Sequence, residues 1–171
     1  MNEIFFRVFV YINARFWEIL HESPDFFLNI VGKDTIYLIM NRKKSKIMKK
    51  VICSQKAPGA IGPYSQAIEA NGMVFVSGQL PIDAATGAMA EGAEAQARQS
   101  LENVKHILEE AGLSMANIVK TTVFLADMSL FADMNKVYAT YFEGDFPARS
   151  AVAVKALPKD ALVEIECIAV R

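Results

Sequence analysis

Ser65-Gln66-Ala67-Ile68-Glu69-Ala70-Asn71-Gly72-Met73-Val74-Phe75-Val76-Ser77-Gly78 is the stretch on which the fold turns. Two short runs of strand-forming character flank Asn71-Gly72. That dipeptide is the strongest short hairpin signal, because both central residues of a type I′ turn need positive φ. Residues 65–78 are therefore expected to form a β-hairpin.

Downstream, Pro81, Asp83 and Gly87 mark a loop. A helix follows from about Glu91 to Ala111, with Ala97, Leu101, Val104, Leu108 and Ala111 at alternating steps of four and three and Gly112 as its stop. Ile118 to Leu125, rich in Val, Thr and Phe, reads as a buried strand. Ser129 is the expected N-cap of a second helix carrying Phe131, Met134, Val137 and Tyr141 on one face. After the break at Pro147, two strands are expected at about Ser150–Val154 and Leu162–Val170, separated by Leu157-Pro158-Lys159-Asp160. The order is β-β-α-β-α-β-β, an α+β fold with two helices packed on one face of a mixed sheet. Its other face needs a cover, so an oligomer is expected.

Upstream, residues 1–47 have a different composition, crowded with Phe, Ile, Tyr and Asn and ending in the basic run Arg42-Lys43-Lys44-Ser45-Lys46. Met-Asn-Glu lacks the positive start of a secretory signal. Arg7, Arg15, Glu18, Lys33 and Asp34 interrupt any run of about 18 apolar residues, so no membrane span is expected. No basic polar face marks a membrane-surface helix. The leader is expected to be an extension outside the domain, not native or poorly ordered, with Met48 as the natural start and 48–171 as the domain. Translation of an AT-rich untranslated region would give such a bias. A domain of roughly 120 residues buries about two-thirds of its unfolded surface, enough for one core.

The net charge of −1 argues against a partner recognised by phosphate neutralisation. Cys53 and Cys167 share no ligand spacing, and fit two reduced, mostly buried thiols in a cytoplasmic protein. His21 and His106 are the whole histidine complement, too few for a histidine-based triad or zinc site. No metal and no cofactor is expected, and no GxGxxG or P-loop spacing supports a nucleotide cradle.

Phe146-Pro147-Ala148-Arg149-Ser150 places an arginine at a strand entry. It suits a carboxylate clamp, since guanidinium offers a planar fork of donors, though by itself a solvated surface pair is the commoner use of such an arginine. Glu164 and Glu166 alternate in Val163-Glu164-Ile165-Glu166, so they share one face of a strand. They suit general acid/base work in a half-buried cleft, or the polar face of an edge strand. Tyr64 follows a Gly-Pro turn, Ser77-Gly78 ends a strand where a ligand could approach closely, and Asn135 lies mid-helix.

Together these segments resemble the RidA/YjgF family of reactive-intermediate deaminases over essentially all of 48–171. The resemblance rests on Ile61-Gly62-Pro63-Tyr64-Ser65-Gln66-Ala67, Val76-Ser77-Gly78-Gln79, Gln96-Ala97-Arg98-Gln99-Ser100-Leu101-Glu102-Asn103-Val104, Val119-Lys120-Thr121-Thr122-Val123-Phe124, Phe146-Pro147-Ala148-Arg149-Ser150, Leu157-Pro158-Lys159 and Glu164-Ile165-Glu166. It implies a chorismate-mutase-like fold, a homotrimer with clefts between subunits, and hydrolysis of 2-iminobutanoate and 2-iminopropanoate to 2-oxo acids and ammonia. It implies Arg149 as the grip on a small-molecule carboxylate and Glu164 as the group that handles water. Tyr64, Ser77, Gly78, Asn135 and Ala151 are implied to line the cleft, Tyr64 from the neighbouring subunit. Many members carry cysteine where this chain has Ala151. That puts thiol chemistry in doubt; the resemblance implies that the position contributes mainly through its backbone, so alanine need not abolish hydrolysis. Two other readings attach to such a domain: a 2-oxo acid-binding regulatory module without turnover, and an RNA-cleaving translation inhibitor. The near-neutral charge and missing basic aromatic platform weigh against the second.

Overall fold

A computed structural model of the protein describes residues 49–171. The leader 1–47, its His21 and the start at Met48 lie outside the described residues. Six strands form one sheet in the order β1-β2-β3-β6-β4-β5, where β1 is Lys50–Ile52, β2 Ala67–Ala70, β3 Met73–Gln79, β4 Ile118–Leu125, β5 Ala148–Ala153 and β6 Val163–Val170. Helices α1 (Ala93–Glu110) and α2 (Phe131–Tyr138) follow β3 and β4. This is the mixed α+β architecture expected, with β4 and β5 parallel and every other pair antiparallel.

The hairpin forms as its turn chemistry requires. Asn71 and Gly72 have φ of 52° and 76°, and Ala70 pairs Met73 across the turn. The stripe on α1 is buried throughout, and the helix stops where Gly112, at φ 72°, lets Leu113 N–H return to Leu108 O at 2.8 Å. Inward residues of the central strands (Val74, Val76, Val123, Leu125, Val163, Ile165) pack against this stripe and against Met134, Val137 and Tyr138 of α2.

Four expectations need correction. The expected order lacks β1, whose three residues are too few for alternation to register. Ser129 does not cap α2: Asp127 accepts the Ser129 N–H at 2.8 Å and caps a 3₁₀ turn, Met128–Leu130, that leads into the helix. Tyr141 lies in the 3₁₀ turn beyond α2, and Tyr138 takes the buried position. Cys53 is exposed, while Cys167 is buried as expected.

Among the described residues, nothing covers the sheet face away from the helices. Phe75 and Val152 are 42% and 44% exposed there, with Ile168 and Phe124 half-buried beside them. Glu164 and Glu166 share this face, but on β6, a central strand rather than an edge.

Candidate functional site

One cavity of about 390 Å³ opens where the loop before β2, the end of β3, the start of β6 and the turn before β6 meet. Its first wall is held by Gln66, which is 2% exposed. The Gln66 Nε2 donates to the carbonyls of Ser54, Ala57 and Pro58 at 3.1, 3.2 and 2.8 Å, while its Oε1 accepts the Ser54 N–H at 2.7 Å. A buried amide so fully satisfied fixes a loop that has no regular structure of its own. That loop presents Pro58, Gly59 and Ile61, and the Gly-Pro turn delivers Tyr64 to the same space.

The opposite wall is a β-bulge. Val76 pairs Cys167, but the next pair is Gln79 with Ile165, so β3 spends one more residue than β6 at Ser77-Gly78. A Cβ on Gly78 would stand 2.9 Å from Glu164 Cδ and closer still to its Oε1, so glycine is needed for the Glu164 carboxylate to lie against the bulge. The close approach foreseen at Gly78 is made by the protein's own acid. The Ser77 hydroxyl donates to Ser65 O at 2.7 Å, tying the bulge to the residue that follows Tyr64. Burial, and then the neighbouring Glu166, hold the Glu164 carboxyl above its ordinary 4.5.

The turn that completes the cavity is strained. Lys159 and Asp160 are both left-handed, at φ 57° and 56°. Residues with a side chain lose roughly 1–2 kcal/mol each in that conformation. Pro158 and Lys159 line the cavity beside Glu164. Neither Lys159 nor Gln66 stood out in the sequence as a site residue. The Leu-Pro-Lys-Asp turn was visible, but the conformation that aims its lysine was not.

Arg149 does not line this cavity. It lies on the edge strand β5, where its register with Thr121 places it on the helix side of the sheet. Its guanidinium stacks over the Tyr138 ring at 4.5 Å and the Phe131 ring at 5.5 Å. The Tyr138 phenol, pushed up by burial, bonds Thr121 Oγ1 at 2.8 Å. Asn135 falls on the same α2 stripe as Phe131 and Tyr138 by helical period, and Ala151 lies two residues along β5 on the Arg149 face. Asn135, Arg149 and Ala151 are thus one set, and Tyr64, Ser77, Gly78 and Glu164 another. Tyr64 belongs with Glu164 in the same protomer.

The two sets cannot serve one small ligand within a protomer. Glu164 registers with Phe124 and hence with Val152, two strands and three residues from Arg149. At about 4.8 Å per strand and 3.3 Å per residue, that is roughly 10 Å in each direction. The two side chains also leave opposite faces of the sheet.

A larger groove of about 600 Å³, between Lys105, Glu109, Met115, Tyr141, Phe142 and Asp145, holds none of the expected site residues. Among the described residues there is no cluster of three potential metal ligands, and no helix is long and apolar enough to cross a membrane. The Cys167 thiol is pushed up to about 12 by burial, with Glu166 adding to it, which makes it a poor nucleophile.

The chain thus carries a small concave site with one half-buried carboxyl, on a sheet whose edge strand carries an aromatic-stacked arginine. The family described as Endoribonuclease L-PSP matches residues 54–171, and the chain belongs to it, the RidA/YjgF proteins. A Salmonella typhimurium protein named 2-iminobutanoate/2-iminopropanoate deaminase is 55% identical over 127 residues, which span 72% of this chain and 99% of that one. A Mus musculus protein of the same name is 48% identical over 128 residues, 74% of this chain and 95% of that one. Among solved structures, E. coli TdcF with bound serine superposes with a TM-score of 0.70 at 50% identity, covering 71% of this chain and 98% of that one.

Proposed function

We propose that the protein hydrolyses reactive 2-imino acids, such as 2-iminobutanoate and 2-iminopropanoate, to 2-oxo acids and ammonia. The name carried by its relatives supports this reading. The observation that carries it is the Glu164 carboxylate, seated on Gly78 in a cavity and kept more basic than an ordinary carboxylate. An imine carbon is already electrophilic, so neither a covalent nucleophile nor a metal is needed. Glu164 takes a proton from water as its oxygen bonds to the imine carbon. It returns that proton to nitrogen to give a carbinolamine, then carries the remaining hydroxyl proton to the same nitrogen as the C–N bond breaks, releasing ammonia and leaving a carbonyl. A carboxyl of raised basicity suits both transfers near neutral pH.

Arg149 grips the substrate carboxylate in this reading, with Asn135 and Ala151 beside it and Tyr64, Ser77 and Gly78 on the far wall. Since Arg149 and Glu164 stand apart within a protomer, the cleft is assembled between copies, in a homotrimer of chorismate-mutase-like arrangement. The uncovered Phe75 and Val152 face supports such an assembly.

Mixing two inactive variants is the test. Arg149→Ala and Glu164→Gln should each form the oligomer and each abolish ammonia release from freshly generated imine. Denatured together and refolded, they should recover about a quarter of wild-type activity, because a cleft drawing its halves from adjacent copies of a symmetric ring is intact in about one of four random pairings. No recovery would refute the shared cleft. Full activity in either variant alone would refute its assigned role. A Glu164→Gln protein that binds 2-oxobutanoate as the wild type does, but releases no ammonia, assigns Glu164 to turnover rather than to binding.

A further inference from the structure

Arg149 stands on β5 directly opposite Thr121 of β4. Thr121, 1% exposed, bonds the Tyr138 phenol at 2.8 Å, and the centre of the Tyr138 ring lies 4.5 Å from the Arg149 guanidinium carbon. Three residues from three elements thus close a loop. Strand register sets Thr121 beside Arg149, a hydrogen bond ties the ring to Thr121, and the ring returns to the arginine. Phe142 packs on the same ring at 4.8 Å, and Phe131 stands 5.5 Å from the guanidinium. Core filling alone does not call for this arrangement. Tyr138 is 3% exposed in the cluster of Met134, Val137 and Val123, where phenylalanine would fill the same space with no hydroxyl to satisfy.

Stacking engages the flat face of a guanidinium and leaves its N–H edge, the part that matches a carboxylate. Among the described residues, ion pairs are made by Lys50, Lys105, Lys136 and Arg171 and not by Arg149, so no acid claims that edge. We propose that Tyr138 is a positioning residue for the reaction: its ring, tied to Thr121, aims the donor edge of Arg149 at the carboxylate of the substrate. This rests on the reading of Arg149 as the grip on that carboxylate. Tyr138 acts through Arg149 and touches no reacting atom, so its contribution lies in binding and leaves the proton transfers of Glu164 alone.

Calorimetric binding of 2-oxobutanoate to the full chain, alongside ammonia release from imine generated in place, tests the inference. Tyr138→Leu removes the ring and should raise Kd about fivefold, as expected when one long side chain must be ordered on binding. KM should rise with it, while kcat stays within about twofold of wild type. Tyr138→Phe keeps the ring and loses only its tie to Thr121, so it should bind about twofold more weakly than wild type. Val137→Ala, a truncation in the core of the same helix, should lower the thermal midpoint and leave Kd unchanged. Wild-type Kd in Tyr138→Leu, or an equal loss of binding in Val137→Ala, overturns the proposal. Where Tyr138→Leu does not assemble, wild-type Kd in Tyr138→Phe overturns it instead. Failure of the underlying reading shows separately, as Arg149→Ala binding 2-oxobutanoate as the wild type does. Lost binding in Arg149→Ala beside an unaltered Tyr138→Leu overturns the positioning role alone.

Discussion

Gly78→Ala is the sharpest probe of the site, because one added methyl separates the position of Glu164 from the integrity of the fold. The φ of Gly78 is not left-handed, so alanine fits the backbone. What the new Cβ meets is the far end of a flexible side chain: Glu164 Cδ at 2.9 Å and Cγ at 3.2 Å, with the carboxylate oxygen nearer. Ordinary contact begins at 3.4 Å, so Cδ must retreat by at least half an ångström and the oxygen by more. Displacing a reacting group by about 1 Å costs on the order of 100-fold in rate, or about 2.7 kcal/mol of barrier. Glu164 rotates away without disturbing the buried positions of β3, so the thermal midpoint should move little. The assay is ammonia release from imine generated in place by a threonine dehydratase, alongside thermal unfolding and oligomer size. Wild-type turnover from a folded, correctly assembled Gly78→Ala protein would refute the idea that this carboxylate acts from the bulge.

Glu164→Gln should stabilise the protein near pH 7 while removing activity. With the folded carboxyl held above its unfolded value, the native state binds the extra proton between the two, so stability falls as pH rises through that window. Thermal midpoints measured from pH 3 to 8 should therefore diverge above the unfolded value and converge below about pH 4. A variant less stable than wild type at neutral pH would contradict the sign. Gln66→Leu should cost about 2–5 kcal/mol in chemical denaturation, since it leaves the Ser54 N–H and the Ser54 and Ala57 carbonyls unpaired in a buried place. Gly72→Val should cost about 1–2 kcal/mol by the same measurement, because a β-branched residue is forced to φ 76°.

Much of the fold was legible because its signals are local. Asn71-Gly72 needs only its own backbone to declare a turn, and the α1 stripe needs only the helical period. The limits of β4 were readable for the same reason, as a run of Val, Thr and Phe bounded by polar turns. What escaped depended on geometry at a distance. Cys53 looked like an interior residue by type, yet it follows a strand of three residues at the rim of the sheet. Ser129 looked like a cap until Asp127 reached it first. At the site, residue types pointed to Arg149 and Glu164, but only sheet order and register show that they leave opposite faces two strands apart. Gln66 and Lys159 were invisible for a different reason. One holds a loop that no periodicity describes through four hydrogen bonds, and the other lines the cavity at a backbone angle that lysine rarely adopts.

The guanidinium of Arg149 is laid across Tyr138, whose phenol is itself anchored to Thr121 in the middle of the sheet. Freezing a long, freely rotating side chain at the moment of capture typically costs about 0.5–1.5 kcal/mol. Here the aromatic rest restrains the side chain beforehand, so in the proposed role an arriving anion would meet a cation that needs less reorganisation. A lysine in its place would keep the charge but arrive unposed, and would have to surrender its motion with every molecule bound.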